Sequence, residues 1–300
     1  MELLPFRMPP FARLIWVSSR ANEVWGERIE VAKRTYARLE QETVKAGLRS
    51  CTTLHIAPDQ LTEMVATLAE QGLVFLPLQK VGSYKGFAHS HPPVVEGKSW
   101  SYYGVVARNL TDALSFKQAS VDNDHVTLGN LLGYPTCCTS FFNEVWTAGY
   151  IDPIWQQASN SGEAIIDTSP QSIMLSSTHR YNSSMLRYVG LRLTPHLPCS
   201  FSCEATDKMA LSWIKLGREL ALEGLDDLIT ILQFPIEWDC LKGIANISTP
   251  IFKIVTNSMP TTERYIVQKK GTVYPDEAPS ALKFPWVRLK SQLKKVIDQD

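Results

Sequence analysis

Four of the six cysteines in this 300-residue chain sit in two short stretches. The first reads Gly133-Tyr134-Pro135-Thr136-Cys137-Cys138 and the second His196-Leu197-Pro198-Cys199-Ser200-Phe201-Ser202-Cys203. Each places a proline just ahead of its thiols, and each runs into a segment with helical apolar spacing. Proline suits the first turn of a helix, where its missing N–H costs nothing. A thiol in that turn lies at the positive end of the helix, which stabilises thiolate. Two such helix starts that meet in space build one thiolate site, so the fold must bring them together.

The surrounding middle of the chain reads as helical. Leu110 to Gln118 and Val126 to Leu132 carry helical spacing, and Gly133 stops the second. Phe141, Phe142, Val145 and Trp146 continue the helix that starts at Cys137 and Cys138. A further helix from about Ser200 carries Met209, Trp213, Leu216 and Leu220 on one stripe. If it includes Cys199, then Cys199 and Cys203 are i, i+4 neighbours on one face. Leu225 to Leu232 closes this region.

Four thiolates bind either tetrahedral zinc or a [4Fe–4S] cluster. A zinc ribbon separates the cysteines of each half by a few residues. The Cys-Cys pair departs from that pattern, so the spacing favours an iron–sulfur cluster, with zinc as the alternative. A metal-free enzyme using Cys137 or Cys138 as nucleophile is a third reading. Buried inert thiols are the bland one, because cysteine is among the most buried residue types. Cys51 and Cys240 lie in apolar, strand-like runs and read as core.

The first third alternates strands and helices. Leu14 to Ser18, Thr52 to Ile56, Leu73 to Leu78 and Ser101 to Ala107 read as strands. A long helix follows Asn22 with Trp25, Ile29, Ala32, Tyr36 and Leu39 inward, and a second spans Asp59 to Gln71. Short connections predict a βαβ-like unit with a parallel sheet. Neither a dinucleotide fingerprint nor a phosphate loop is present. Between the third and fourth strands lies a long Gly- and Pro-rich loop carrying His89 and His91. In extended chain an i, i+2 pair points to one face. With His196, just upstream of Cys199, these histidines are the candidate acid/base groups on the open side of a thiol site.

The last third predicts a small antiparallel sheet from Ile236 to Leu241, Pro250 to Val255 and Arg264 to Gln268. An amphipathic terminal helix from Val287 to Ile297 has a basic outer face. Thirty basic residues balance thirty acidic ones, which disfavours a non-specific nucleic-acid binder. No run approaches the roughly 20 apolar residues of a membrane span, and the first residues lack a signal-peptide pattern. These features predict a cytoplasmic protein, where clustered cysteines serve as ligands or redox groups rather than disulfides.

The run Tyr103 to Ala107, then Gly129 through Cys138 and Phe141-Phe142, resembles an uncharacterised group of microbial proteins. That group carries a Gly-Tyr-Pro-x-Cys-Cys motif and a later Pro-Cys-x-x-x-Cys motif. The resemblance covers the middle third and implies that both thiol stretches belong to one module. It brings no activity with it. The epoxyqueuosine reductases are similar in their Cys-Cys pair alone.

The expected fold is therefore α/β or α+β. It divides into an α/β unit over 1–109, a helical thiol module over 110–232, and a small sheet with a terminal helix over 233–300, or forms one compact domain. The expected function is a metalloenzyme in which Cys137, Cys138, Cys199 and Cys203 hold a [4Fe–4S] cluster. It would reduce a small molecule or transfer sulfur to it, with an electron-donor protein as partner. The alternative is a zinc-stabilised protein that binds a ligand or partner.

Overall fold

The structure is a computed structural model that describes residues 2–7, 11–83, 91–147, 154, 157, 160–161, 165–168, 172–175, 180–241, 244–257 and 263–268. Helix and sheet are mixed, as expected for an α/β chain. The chain opens with β1 (Glu2–Arg7) and β2 (Ala12–Trp16). The helix α1 (Ser19–Lys45) follows, then β3 (Cys51–Ile56), α2 (Leu61–Glu70), β4 (Val74–Gly82) and β5 (Trp100–Ala107). The N-cap of α1 is Ser18, whose hydroxyl accepts from the Ala21 N–H at 3.1 Å, rather than Asn22.

The expected parallel sheet is corrected. In the first sheet the order is β3-β5-β4, and β5 pairs antiparallel with both neighbours. Strands β3 and β4 therefore do run the same way around α2, as in a βαβ unit, but β5 is inserted between them. Apolar patterning fixes which segments are strands and how α2 reverses the chain. It does not say that the long connection after β4 carries β5 back into the gap.

The middle contributes α3 (Leu110–Asp122), α4 (His125–Leu131) and α5 (Thr136–Phe142), which runs on into a π-helical turn over Asn143–Thr147. Two strands follow, β6 (Ile165–Thr168) and β7 (Ser172–Leu175), then α6 (Glu204–Glu219) and α7 (Leu225–Leu232). The chain ends in β8 (Ile236–Leu241), β9 (Ile244–Ser248), β10 (Phe252–Asn257) and β11 (Glu263–Gln268). The segment 287–297, expected as a helix, lies outside the described residues.

The C-terminal sheet is larger than its own strands predicted. Its order is β2-β10-β9-β8-β7-β6, antiparallel throughout. It takes β2 from the start of the chain and a hairpin from the middle, while β11 pairs with β1 instead. The main core lies between this sheet and the helices. It joins Ile29, Ala32, Tyr36 and Leu39 of α1 with Trp213 of α6, Leu228 and Ile231 of α7, and Trp238, Ile247 and Phe252 of the sheet. These are four of the five α1 residues that the helical spacing marked as inward; the fifth, Trp25, is partly buried against the same core. Cys51 packs in a smaller cluster with Val105, Ala107 and Phe116, as expected of a core cysteine. Among the described residues, no helix is long and apolar enough to cross a membrane.

Candidate metal centre

The first thiol stretch is placed by its glycines and its proline. Gly133 has φ +71, a left-handed conformation that L side chains rarely adopt, and a Cβ there would meet the Cβ of Arg49 at 2.8 Å. That turn swings the chain from α4 into α5. Pro135 is the N-cap, in extended conformation, and its carbonyl accepts from the N–H groups of Cys138 at 2.9 Å and Thr139 at 3.0 Å. Gly129 lets α5 approach α4, since a Cβ there would lie 2.5 Å from the Thr139 hydroxyl. Cys137 and Cys138 thus occupy the first turn of α5, as the sequence predicts.

The second stretch is corrected. Helix α6 starts at Glu204, with Cys203 as its N-cap. Cys199 to Cys203 is a turn, so these two thiols are not helical neighbours. Polar groups from elsewhere hold this turn and compete with helix formation there. The buried Asn182 amide donates to the carbonyls of Cys203 at 3.1 Å and Phe201 at 3.4 Å. Ser161 accepts from the Phe201 N–H at 2.6 Å through its hydroxyl, and its carbonyl accepts from the Ser202 hydroxyl at 3.0 Å. The Phe201 side chain, 2% exposed, anchors the turn in the core.

The two stretches do meet. The sulfurs of Cys137, Cys138, Cys199 and Cys203 all lie within 4.8 Å of one another, an arrangement that could hold a metal ion. Three of the separations are 3.6 Å for Cys138–Cys203, 3.7 Å for Cys137–Cys203 and 3.9 Å for Cys137–Cys138. Cys138 and Cys203 are buried, Cys199 is half-buried and Cys137 is exposed. The backbone N–H of Cys199 donates to the Cys138 sulfur at 3.4 Å.

The electrostatics single out Cys203. Its pKa is pulled down to about 4, first by the hydrogen bond from Cys138 and further by the Thr206 hydroxyl and Cys199. Cys138 moves the opposite way, because it supplies that hydrogen bond and is buried. Burial, and then its contact with Cys203, pushes Cys199 up to about 12.

Sequence reasoning missed Thr206. It lies in the first turn of α6, fully buried. Its hydroxyl touches the sulfurs of Cys138 at 3.2 Å and Cys203 at 3.3 Å, and meets His196 Nε2 at 3.0 Å. The available signal was its position three residues after an N-cap, where side chains return to the helix start. His196 thus stands behind the thiols and reaches them through Thr206. Burial lowers its pKa to about 3, so the ring is neutral. Its face lies 5.0 Å from the Tyr134 ring.

Of the other expected histidines, His89 lies outside the described residues. His91 does not join the sulfur cluster. It lines a separate cleft of about 810 Å³ whose wall includes Tyr134 and Pro195, the latter next to His196. The thiol centre and the cleft therefore share a partition rather than a chamber. No protein-family profile, no curated protein and no solved structure matches this chain.

Proposed function

We propose that this chain is a metal-stabilised ligand-binding protein, with one zinc ion held by Cys137, Cys138, Cys199 and Cys203. The observation that carries the reading is the sulfur spacing. A tetrahedron of Zn–S bonds of about 2.3 Å has edges of about 3.8 Å. Three of the sulfur–sulfur edges, at 3.6, 3.7 and 3.9 Å, fit that figure. A [4Fe–4S] cluster puts each sulfur on a separate iron and spreads the sulfurs to roughly 6 Å. Accommodating it requires every pair to move beyond the 4.8 Å limit found here.

Four protein thiolates complete a tetrahedral shell, and closed shells of this kind are structural. The metal would hold the start of α5 against the start of α6 and fix the wall that carries Tyr134 and His196. A reducing cytoplasm suits free thiols in that role. The ligand site is then the neighbouring cleft rather than the metal.

Metal and acid-labile sulfide analysis of anaerobically purified protein tests the assignment. One zinc per chain, no sulfide and no visible absorption are expected, with zinc lost in Cys138→Ala and Cys203→Ala. Stoichiometric iron and sulfide in a brown protein sink the zinc assignment. Metal content unchanged by both substitutions sinks the shared site.

A further inference from the structure

The cleft lies where β3 and β5 of the first sheet face α1 and the turn from Arg187 to Pro195. Its volume, about 810 Å³, is that of a small-molecule site. The charges on its wall are unequal: Lys33, Arg187 and Arg192 face it, against one carboxylate, Glu40. Glu40 is already committed, with its carboxylate 3.6 Å from the Arg49 guanidinium. Lys33 is likewise paired, with Glu30 at 2.7 Å.

Arg192 is placed differently. Its guanidinium lies 4.9 Å from the centre of the Tyr36 ring, which fixes its plane. Its Nε is buried and has no hydrogen-bond partner among the described residues. A guanidinium fixed against an aromatic ring on the cleft wall suits capture of a carboxylate or phosphate. Arg187 stands on the same wall, donating to the carbonyl of Ser184 at 2.7 Å and the hydroxyl of Tyr188 at 2.8 Å.

The opposite wall is aromatic and uncharged. His91 and Tyr103 have ring centres 4.2 Å apart, and His55 lies 5.1 Å from Tyr103. His55 is held through Nδ1 by Ser101 at 3.3 Å, and His91 through Nδ1 by the Gln79 amide. Burial lowers the pKa of both rings, so neither adds charge at neutral pH. A cationic wall together with a cluster of mutually tilted aromatic rings, His91 and Tyr103 at 50° and His55 and Tyr103 at 43°, recognises a molecule with a negative group at one end and an aromatic body that the rings can meet by face and edge.

We infer that the cleft binds a small planar organic anion, a carboxylate or a phosphate monoester, with Arg192 anchoring the oxyanion and His91 and Tyr103 packing on the ring. This deepens the ligand-binding reading and does not depend on which metal the thiols hold. The probes are benzoate, phenyl phosphate and neutral benzamide, titrated into metal-replete protein by ligand-observed NMR and calorimetry. At least one anion should bind at least tenfold more tightly than benzamide. Arg192→Gln should cut that affinity at least tenfold with metal content unchanged. His91→Ala, at an exposed position, should cut it at least threefold and serves if the arginine variant does not fold. Preference for one anion over the other names the oxyanion. Benzamide binding as well as the anions overturns the charge assignment and leaves the binding-protein reading standing. No binding of any probe at 10 mM overturns the site itself. Full affinity in both variants overturns the roles of these residues.

Discussion

Replacing Thr206 by valine removes one hydroxyl at nearly constant volume. That hydroxyl touches Cys138 at 3.2 Å, Cys203 at 3.3 Å and His196 Nε2 at 3.0 Å. It has a single proton. If that proton goes to Cys203, the oxygen accepts from the Nε2–H of His196. In the metal-bound protein the acceptor is a coordinated thiolate, so the hydrogen bond is charge-assisted and contributes about 1.5–3 kcal/mol. In the metal-free protein the hydrogen bonds from Cys138 and from this hydroxyl already favour the Cys203 thiolate, so part of this cancels. A net loss of about 1–2 kcal/mol in metal binding remains, or roughly tenfold, within the range for groups supporting metal ligands. The buried Nε2–H also loses its partner in both states, costing about 1–3 kcal/mol of stability with or without metal. Competition for zinc against a chromophoric chelator measures the first quantity and urea unfolding the second. Thr206→Ser should restore both. Zinc affinity for Thr206→Val within twofold of the wild type would refute the coupling of this hydroxyl to the sulfurs.

Three other outcomes are expected. Stripping the metal with a strong chelator should lower the melting temperature by about 10 °C, since a ligand at a thousand times its Kd contributes about 4 kcal/mol; an unchanged melt contradicts a structural metal. His196 has its pKa lowered from 6.5 to about 3. Between these values the unfolded chain binds a proton that the folded chain refuses, so stability is intact above about pH 6.5 and falls as pH drops, by about 2 kcal/mol at pH 5. Urea unfolding of metal-free protein at pH 7 and pH 5 should show this loss shrinking in His196→Asn; an identical loss in both proteins removes His196 as its source. Gly133→Ala forces an L residue to φ +71 and sets a Cβ 2.8 Å from Arg49. It should cost about 1–3 kcal/mol by denaturant titration, and a neutral effect would mean that the turn relaxes freely.

The four clustered cysteines were legible because each stretch carries its own punctuation. Gly133 and Pro135 mark a stop and a restart, and Pro198 marks another. The local form of the second stretch was not legible. Ser200 and Ser202 fit a helix start and a turn equally well, and Ser161 and Asn182, distant in sequence, decide for the turn. Thr206 was missed for a related reason, since its position relative to the N-cap counts only once Cys203 is known to be that cap. The alternation of strand and helix in the first third was also readable. The insertion of β5 was not, because adjacency in a sheet is set by long-range packing and leaves no mark on periodicity. The cleft escaped notice because its walls come from segments as far apart as Ala12 and Pro195. No spacing rule connects them.

The pairing of β2 with β10 bears on how the chain assembles during synthesis. Residues 12–16 are made long before their hydrogen-bonding partners at 252–256. The Thr256 hydroxyl even reaches back to the carbonyl of Phe11, 245 positions away. The unit formed by β3, α2, β4, β5 and α3, by contrast, needs nothing beyond residue 122 to pair its strands. A nascent chain would therefore carry this folded unit while β2 stays unpaired beside it. Protease protection of ribosome-stalled chains should appear first for residues 51–122, and for residues 12–16 only once residues 252–256 have emerged. Protection of both at the same chain length would show that they fold together.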